Sequence, residues 1–221
     1  MTGPVVYAIA DAEALRPRAL PEAVAEMAEA GIRWIQVRGK QLTGEQWHAA
    51  LDGCCRALEG SGVELWVDDR ADLAALFPVA GLHLGQADLP PAAARRVVGG
   101  GLRIGLSTHD EEQLAAADAD PEVDVIAVGP VFPTTGKERP DPVVGLGFVR
   151  QARARTRKRL VAIGGIDAGN LPEVLAAGAD AAAVLGAVCR GKDPGDIHPG
   201  DIRANCRRLL AAAGLDGCAS T

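Results

Sequence analysis

Trp34-Ile35-Gln36-Val37-Arg38-Gly39-Lys40 is an apolar run that closes on two cations and an amide. Runs of this kind read as buried strands, and the segment behind it, Thr43 to Glu59, carries its apolar residues at helical spacing. Residues 34–59 are therefore one strand-then-helix unit, and the unit recurs along the chain. Strands are expected at Val5–Ala10, Trp34–Val37, Glu64–Val67, Gly81–Leu84, Arg103–Leu106, Val125–Val128, Leu160–Ile163 and Ala181–Leu185. Helices are expected at Leu20–Ala30, Thr43–Glu59, Ala71–Leu76, Pro90–Val98, Asp110–Ala117, Leu146–Thr156, Asn170–Ala177 and Ile202–Ala213.

Eight strands alternating with eight helices predict an α/β fold, a single (β/α)8 TIM barrel, with a doubly wound sheet as the alternative. One domain is expected over residues 1–221, with a mobile tail after about 214. Gly31, Gly60 and Gly178 follow helical patterns where a left-handed residue would stop them. Gly99-Gly100-Gly101 precedes a strand instead of following one, which makes it a poor dinucleotide signal.

Composition narrows the function classes. Hydrophobic residues make up 48% of the 221, enough for a sizeable core. A net charge of -6 argues against nucleic acid and anionic membranes as partners, so any anion site must be built locally. No stretch approaches the ~20 apolar residues of a membrane span, and the five cysteines, Cys54, Cys55, Cys189, Cys206 and Cys218, lack zinc-site spacing. A soluble chain in a reducing cytoplasm is the expectation, with homo-oligomerisation left open. Cys54 and Cys55 read as packed thiols in a helix, and the Arg153-to-Arg159 charge run reads as a solvated helix face and its exit turn.

In a barrel the residues after each strand gather at one rim, where active sites of this architecture lie. That rim collects Asp11 and Glu13, then Gln36, Arg38 and Lys40, then Asp68, Asp69 and Arg70. Gln86 and Asp88 follow, then Ser107, Thr108 and His109, then Thr134, Thr135 and Lys137. Strands seven and eight end in Gly164-Gly165-Ile166 and Gly186-Ala187, small residues whose amides can approach a phosphate. Arg38 and Lys40 form a polyanion grip. Asp69 and Asp88 offer hard oxygens for Mg²⁺, with salt bridges to Arg70 or Arg38 as the plainer reading. Together these residues point to small phosphorylated substrates.

Several motifs in order carry a family resemblance over Tyr7 to Val188. They are Gln36-Val37-Arg38-Gly39-Lys40, Val67-Asp68-Asp69-Arg70-Ala71-Asp72-Leu73-Ala74, Gly81-Leu82-His83-Leu84-Gly85-Gln86-Ala87-Asp88, Gly105-Leu106-Ser107-Thr108-His109, Val128-Gly129-Pro130-Val131-Phe132-Pro133-Thr134, Lys137, and Ala162-Ile163-Gly164-Gly165-Ile166. The chain resembles thiamine phosphate synthase and its barrel-shaped relatives, including the thiazole tautomerases. The resemblance implies a Mg²⁺-dependent transferase of thiamine biosynthesis that couples hydroxymethylpyrimidine diphosphate to hydroxyethylthiazole phosphate.

By the same resemblance Gln36 meets the pyrimidine, and Arg38, Lys40, Ser107 and Lys137 hold the diphosphate as the catalytic set. Asp69 and Asp88 hold Mg²⁺, while Asp68 lies in the substrate site. Thr134, Thr135, Gly136, Gly164, Gly165, Leu185 and Gly186 receive the thiazole phosphate. Asp68 stands where the synthases usually have asparagine, Gly136 where threonine is common, and Gly186 where serine is common. Each lost phosphate hydrogen bond would cost about 1.5 to 3 kcal/mol if water does not replace it. A tautomerase-like paralogue using His83 or His109 as acid or base, and a non-catalytic barrel that binds a thiamine precursor or phosphate, are the alternatives.

Overall fold

The computed structural model describes residues 3–134, 142–189 and 201–215. Eight parallel strands, β1 (Val6–Asp11), β2 (Trp34–Arg38), β3 (Glu64–Asp68), β4 (Gly81–Leu84), β5 (Arg103–Thr108), β6 (Val125–Val128), β7 (Arg159–Ile163) and β8 (Ala181–Val184), pair in sequence order. β8 then closes on β1, making a single (β/α)8 barrel. Between the strands lie α1 (Leu20–Glu29), α2 (Gly44–Ala57), α3 (Ala71–Ala74), α4 (Pro91–Val98), α5 (Glu111–Ala119), α6 (Gly145–Arg155) and α7 (Leu171–Ala176). After β8 come the short α8 (Gly186–Cys189) and then α9 (Ile202–Ala212).

Local chemistry sets the helix starts. Thr43 and Gln46 form a reciprocal capping box at α2, with the Gln46 side chain accepting the Thr43 amide at 2.9 Å. Asp110 and Asp201 accept the third-position amides of α5 and α9 at 2.8 and 2.9 Å. Gly31, Gly60 and Gly178 take the expected positive φ after α1, α2 and α7.

Strand alternation divides the apolar residues into two cores. Ile35, Val37, Val67, Leu82, Ile104 and Ala162 point outward and pack beneath the helices. Tyr7, Ile9, Trp34, Trp66, Val125, Ala127, Val161, Ala181 and Ala183 fill the barrel. Tyr7 and Trp34, cross-strand partners, stack with centroids 4.0 Å apart, and Trp66 meets both edge-on at 6.1 and 5.6 Å. Glycines make room for this cluster. Gly81 pairs with Trp66, and a Cβ there would stand 2.6 Å from the indole.

The Arg153-to-Arg159 run departs from the expected solvated face. Arg159 opens β7 and lies under Trp34, its guanidinium carbon 4.1 Å from the ring centroid, while Arg153 pairs with Asp180 at 2.8 Å. Its inward strand position sets the Arg159 guanidinium against the flat Trp34 face, and burial there lowers its pKa. Residues 216–221, which hold most of the tail expected to be mobile, lie outside the described residues.

Candidate active site

The rim cluster begins with register. Asp11 on β1 stands opposite Arg38 on β2, and their side chains form an ion pair. Arg38 also approaches Asp68, with Nε 3.4 Å from Oδ2. Lys40, just past β2, pairs with Asp69 and lies 4.0 Å from Asp68. Asp69 adopts φ 60, a left-handed conformation that aspartate tolerates better than most residues, and its amide is held by the His83 carbonyl at 2.8 Å. Arg70 pairs with Asp72 and not with Asp69.

Asp88 lies in the loop between β4 and α4, where its carboxylate accepts the Gly85 amide at 2.7 Å and its side chain hydrogen-bonds Asp69. Burial raises the Asp88 pKa, and the contact with Asp69 raises it further. Burial and the neighbouring Asp69 charge push Asp68 up to about 7, against the pull of Lys40 and Arg38. Lys40 is held above its ordinary range: burial alone would lower it, but the hydrogen bond to Asp69 and the charges of Asp68 and Asp69 outweigh burial. Asp11, Asp68, Asp69 and Asp88 face Arg38 and Lys40, so four acidic groups meet two cations in the described part of the cluster.

That excess of crowded carboxyl groups fits a hard dication. Among the described residues no cluster of three or more His, Cys, Asp or Glu suits a metal. Asp69 and Asp88 are the residues that would hold such an ion, a small set that Mg²⁺ tolerates because it is usually bound through one or two carboxylates.

Gln36 is buried and donates to the Tyr7 hydroxyl at 2.7 Å, which ties the rim to the aromatic cluster. Ser107 lies within β5, where Oγ meets His83 Nε2 at 3.0 Å and its carbonyl accepts Gln86 at 2.7 Å. His109 Nδ1 faces the Gly129 carbonyl at 2.6 Å, so that nitrogen carries the proton.

Across the rim, Gly164 and Gly165 take φ 102 and 66, and a Cβ on Gly165 would stand 2.6 Å from the Pro133 carbonyl oxygen. The Gly164 carbonyl accepts the Phe132 amide at 3.0 Å, binding the loop after β7 to the segment that leads to Thr134. Leu185 links β8 to α8, and Gly186 opens that helix. Thr135, Gly136 and Lys137, which carry part of the expected diphosphate and thiazole-phosphate sites, lie outside the described residues.

Sequence reasoning missed two partnerships, Asp11 with Arg38 and His83 with Ser107. Strand parity carried a signal for the first, because Asp11 keeps the inward phase of Tyr7 and Ile9. The glycine opposite His83, Gly105, signalled the second.

A family model described as thiamine monophosphate synthase matches residues 6–188. The thiamine-phosphate synthase of Koribacter versatilis (strain Ellin345) is 43% identical over 186 residues, covering 82% of this chain and 87% of that protein. That of Mycobacterium sp. (strain KMS) is 44% identical over 206 residues, covering 86% and 85%. Among solved structures, thiamine phosphate pyrophosphorylase from Pyrococcus furiosus superposes with a TM-score of 0.82 at 29% identity, covering 96% of this chain and 97% of its own.

Proposed function

The chain belongs to the thiamine monophosphate synthase family, and from that footing we propose that its rim joins hydroxymethylpyrimidine diphosphate to hydroxyethylthiazole phosphate, releasing diphosphate and forming thiamine phosphate. It is a transferase. The methylene C–O bond breaks with its electron pair leaving on the diphosphate, and the thiazole nitrogen donates the pair that forms the new C–N bond. No protein nucleophile is needed, so catalysis rests on orientation and charge.

Arg38 and Lys40 face the departing diphosphate, joined by Ser107 and Lys137. Gln36, anchored on Tyr7, presents its remaining amide atoms to the pyrimidine. Gly164, Gly165 and the Leu185-Gly186 turn receive the thiazole phosphate together with Thr134, Thr135 and Gly136. Asp69 and Asp88 would hold Mg²⁺, which when bound neutralises charge on the leaving group. A reducing cytoplasm suits the reduced thiols of Cys54, Cys55, Cys189 and Cys206.

The observation that carries this reading is the interleaving of two cations with the Asp69–Asp88 pair at the end of adjacent strands. It matches a metal-diphosphate better than a bare anion, which the acidic groups would repel. Calorimetric titration with inorganic diphosphate tests it. Binding should need Mg²⁺ and weaken at least tenfold in Arg38→Ala; equal binding in EDTA would count against the arrangement.

A further inference from the structure

Asp11 is fully engaged. It is buried, its Oδ1 accepts the Ala14 amide at 2.8 Å, and its Oδ2 pairs with Arg38 Nη1. The same loop touches the Arg38 segment twice more: the Ala12 amide donates to the Arg38 carbonyl at 2.8 Å, and Glu13 Oε1 accepts the Gln41 amide at 3.0 Å. Side chain, carbonyl and the amide beyond Lys40 are therefore all held from β1.

Charge alone gives no reason for this clamp, since a carboxylate beside a diphosphate grip opposes anion binding. Orientation does. A guanidinium is a planar fork of donors, and contacts on Nη1 and Nε fix its plane while leaving other N–H groups for a ligand. A misplacement of about 1 Å can cost on the order of 100-fold in rate.

We propose that Asp11 is a positioning residue for the transfer reaction, orienting the Arg38 guanidinium toward the leaving diphosphate, an assignment that rests on the synthase reading of the rim. Glu13 secures the turn that follows.

Asp11→Asn keeps an acceptor for the Ala14 amide while removing the charge, and it separates orientation from electrostatics. Orientation requires kcat to fall about tenfold with no rise in KM for the pyrimidine diphosphate. In an Arg38→Ala background the same substitution should change kcat less than twofold. A kcat within twofold of wild type, or an equal tenfold loss in the Arg38→Ala background, overturns the assignment. If Asp11→Asn does not fold, Asp11→Glu substitutes for it: the charge stays but the geometry changes, so kcat must still fall about tenfold, and wild-type kcat overturns the proposal.

Nitrogen-15 spectra of the Arg38 guanidinium decide the contact without turnover. Its Nη resonances, the end that Asp11 contacts, should shift in Asp11→Asn, and unchanged Nη resonances reject the clamp. Wild-type protein that forms no thiamine phosphate would reject the synthase reading instead, leaving the spectra to judge Asp11.

Discussion

Gly105 and His83 are cross-strand partners, and a Cβ on Gly105 would stand 2.5 Å from His83 Nδ1. The absent side chain gives the imidazole the space from which Nε2 reaches Ser107 Oγ at 3.0 Å. Core packing thus positions a rim hydroxyl.

Gly105→Ala should therefore move His83 as well as strain the barrel. Overpacking of this kind costs about 1–3 kcal/mol. Thermal denaturation is expected to show that loss, and turnover should fall further than stability explains. Gly81→Ala, which crowds Trp66 away from Ser107, provides the comparison: a similar destabilisation with a smaller effect on kcat.

The barrel was legible in the sequence because each strand ends in a polar or glycine-rich segment and most of the helices between them keep an apolar period. All eight strand starts agree to within a residue, but β5 runs on to Thr108, which places Ser107 inside the strand. The short helix α8 was missed because its Gly186 start reads as a turn after Leu185. Arg159 was misread because an inward arginine looks like the end of a charged surface run until Trp34 lies above it. The site residues Arg38, Lys40, Asp68, Asp69 and Asp88 were legible as rim positions; who pairs with whom depends on register, which a single strand does not reveal.

Asp68 should impose a pH dependence on metal-free stability. Its folded pKa, about 7, lies above the ordinary 3.8, so its contribution is fully present below the lower value and is lost as pH rises through the higher. Asp68→Asn removes that titration. In EDTA the variant should gain on the wild type steadily between pH 4 and 7 in urea unfolding, by at most about 4 kcal/mol. A difference that stays flat across this range would show that Asp68 ionises normally.

Asp88→Asn should separate metal binding from folding. The variant loses a carboxyl group that crowds Asp69 but retains an acceptor for the Gly85 amide. Its metal-free melting temperature is expected to match or exceed the wild type, while Mg²⁺-dependent binding of inorganic diphosphate weakens at least tenfold. Loss of melting temperature with metal affinity unchanged would make Asp88 a structural residue.

Cys54 and Cys206 should be poor nucleophiles in the folded chain. Burial pushes Cys54 up to about 12 and raises Cys206 further still, leaving little thiolate near neutral pH. Alkylation at pH 8 followed by peptide mass spectrometry should find both unmodified in the native protein and fully modified in urea. Rapid native labelling of Cys54 would mean that α2 opens readily.

The most direct test mixes purified protein with hydroxymethylpyrimidine diphosphate, hydroxyethylthiazole phosphate and Mg²⁺ and follows products by mass spectrometry. Thiamine phosphate and diphosphate should appear in equal amounts, and neither should form when either substrate is omitted. Binding of both precursors with no thiamine phosphate formed, over a range of protein and Mg²⁺ concentrations, would contradict the assignment and leave a barrel that holds the precursors without joining them.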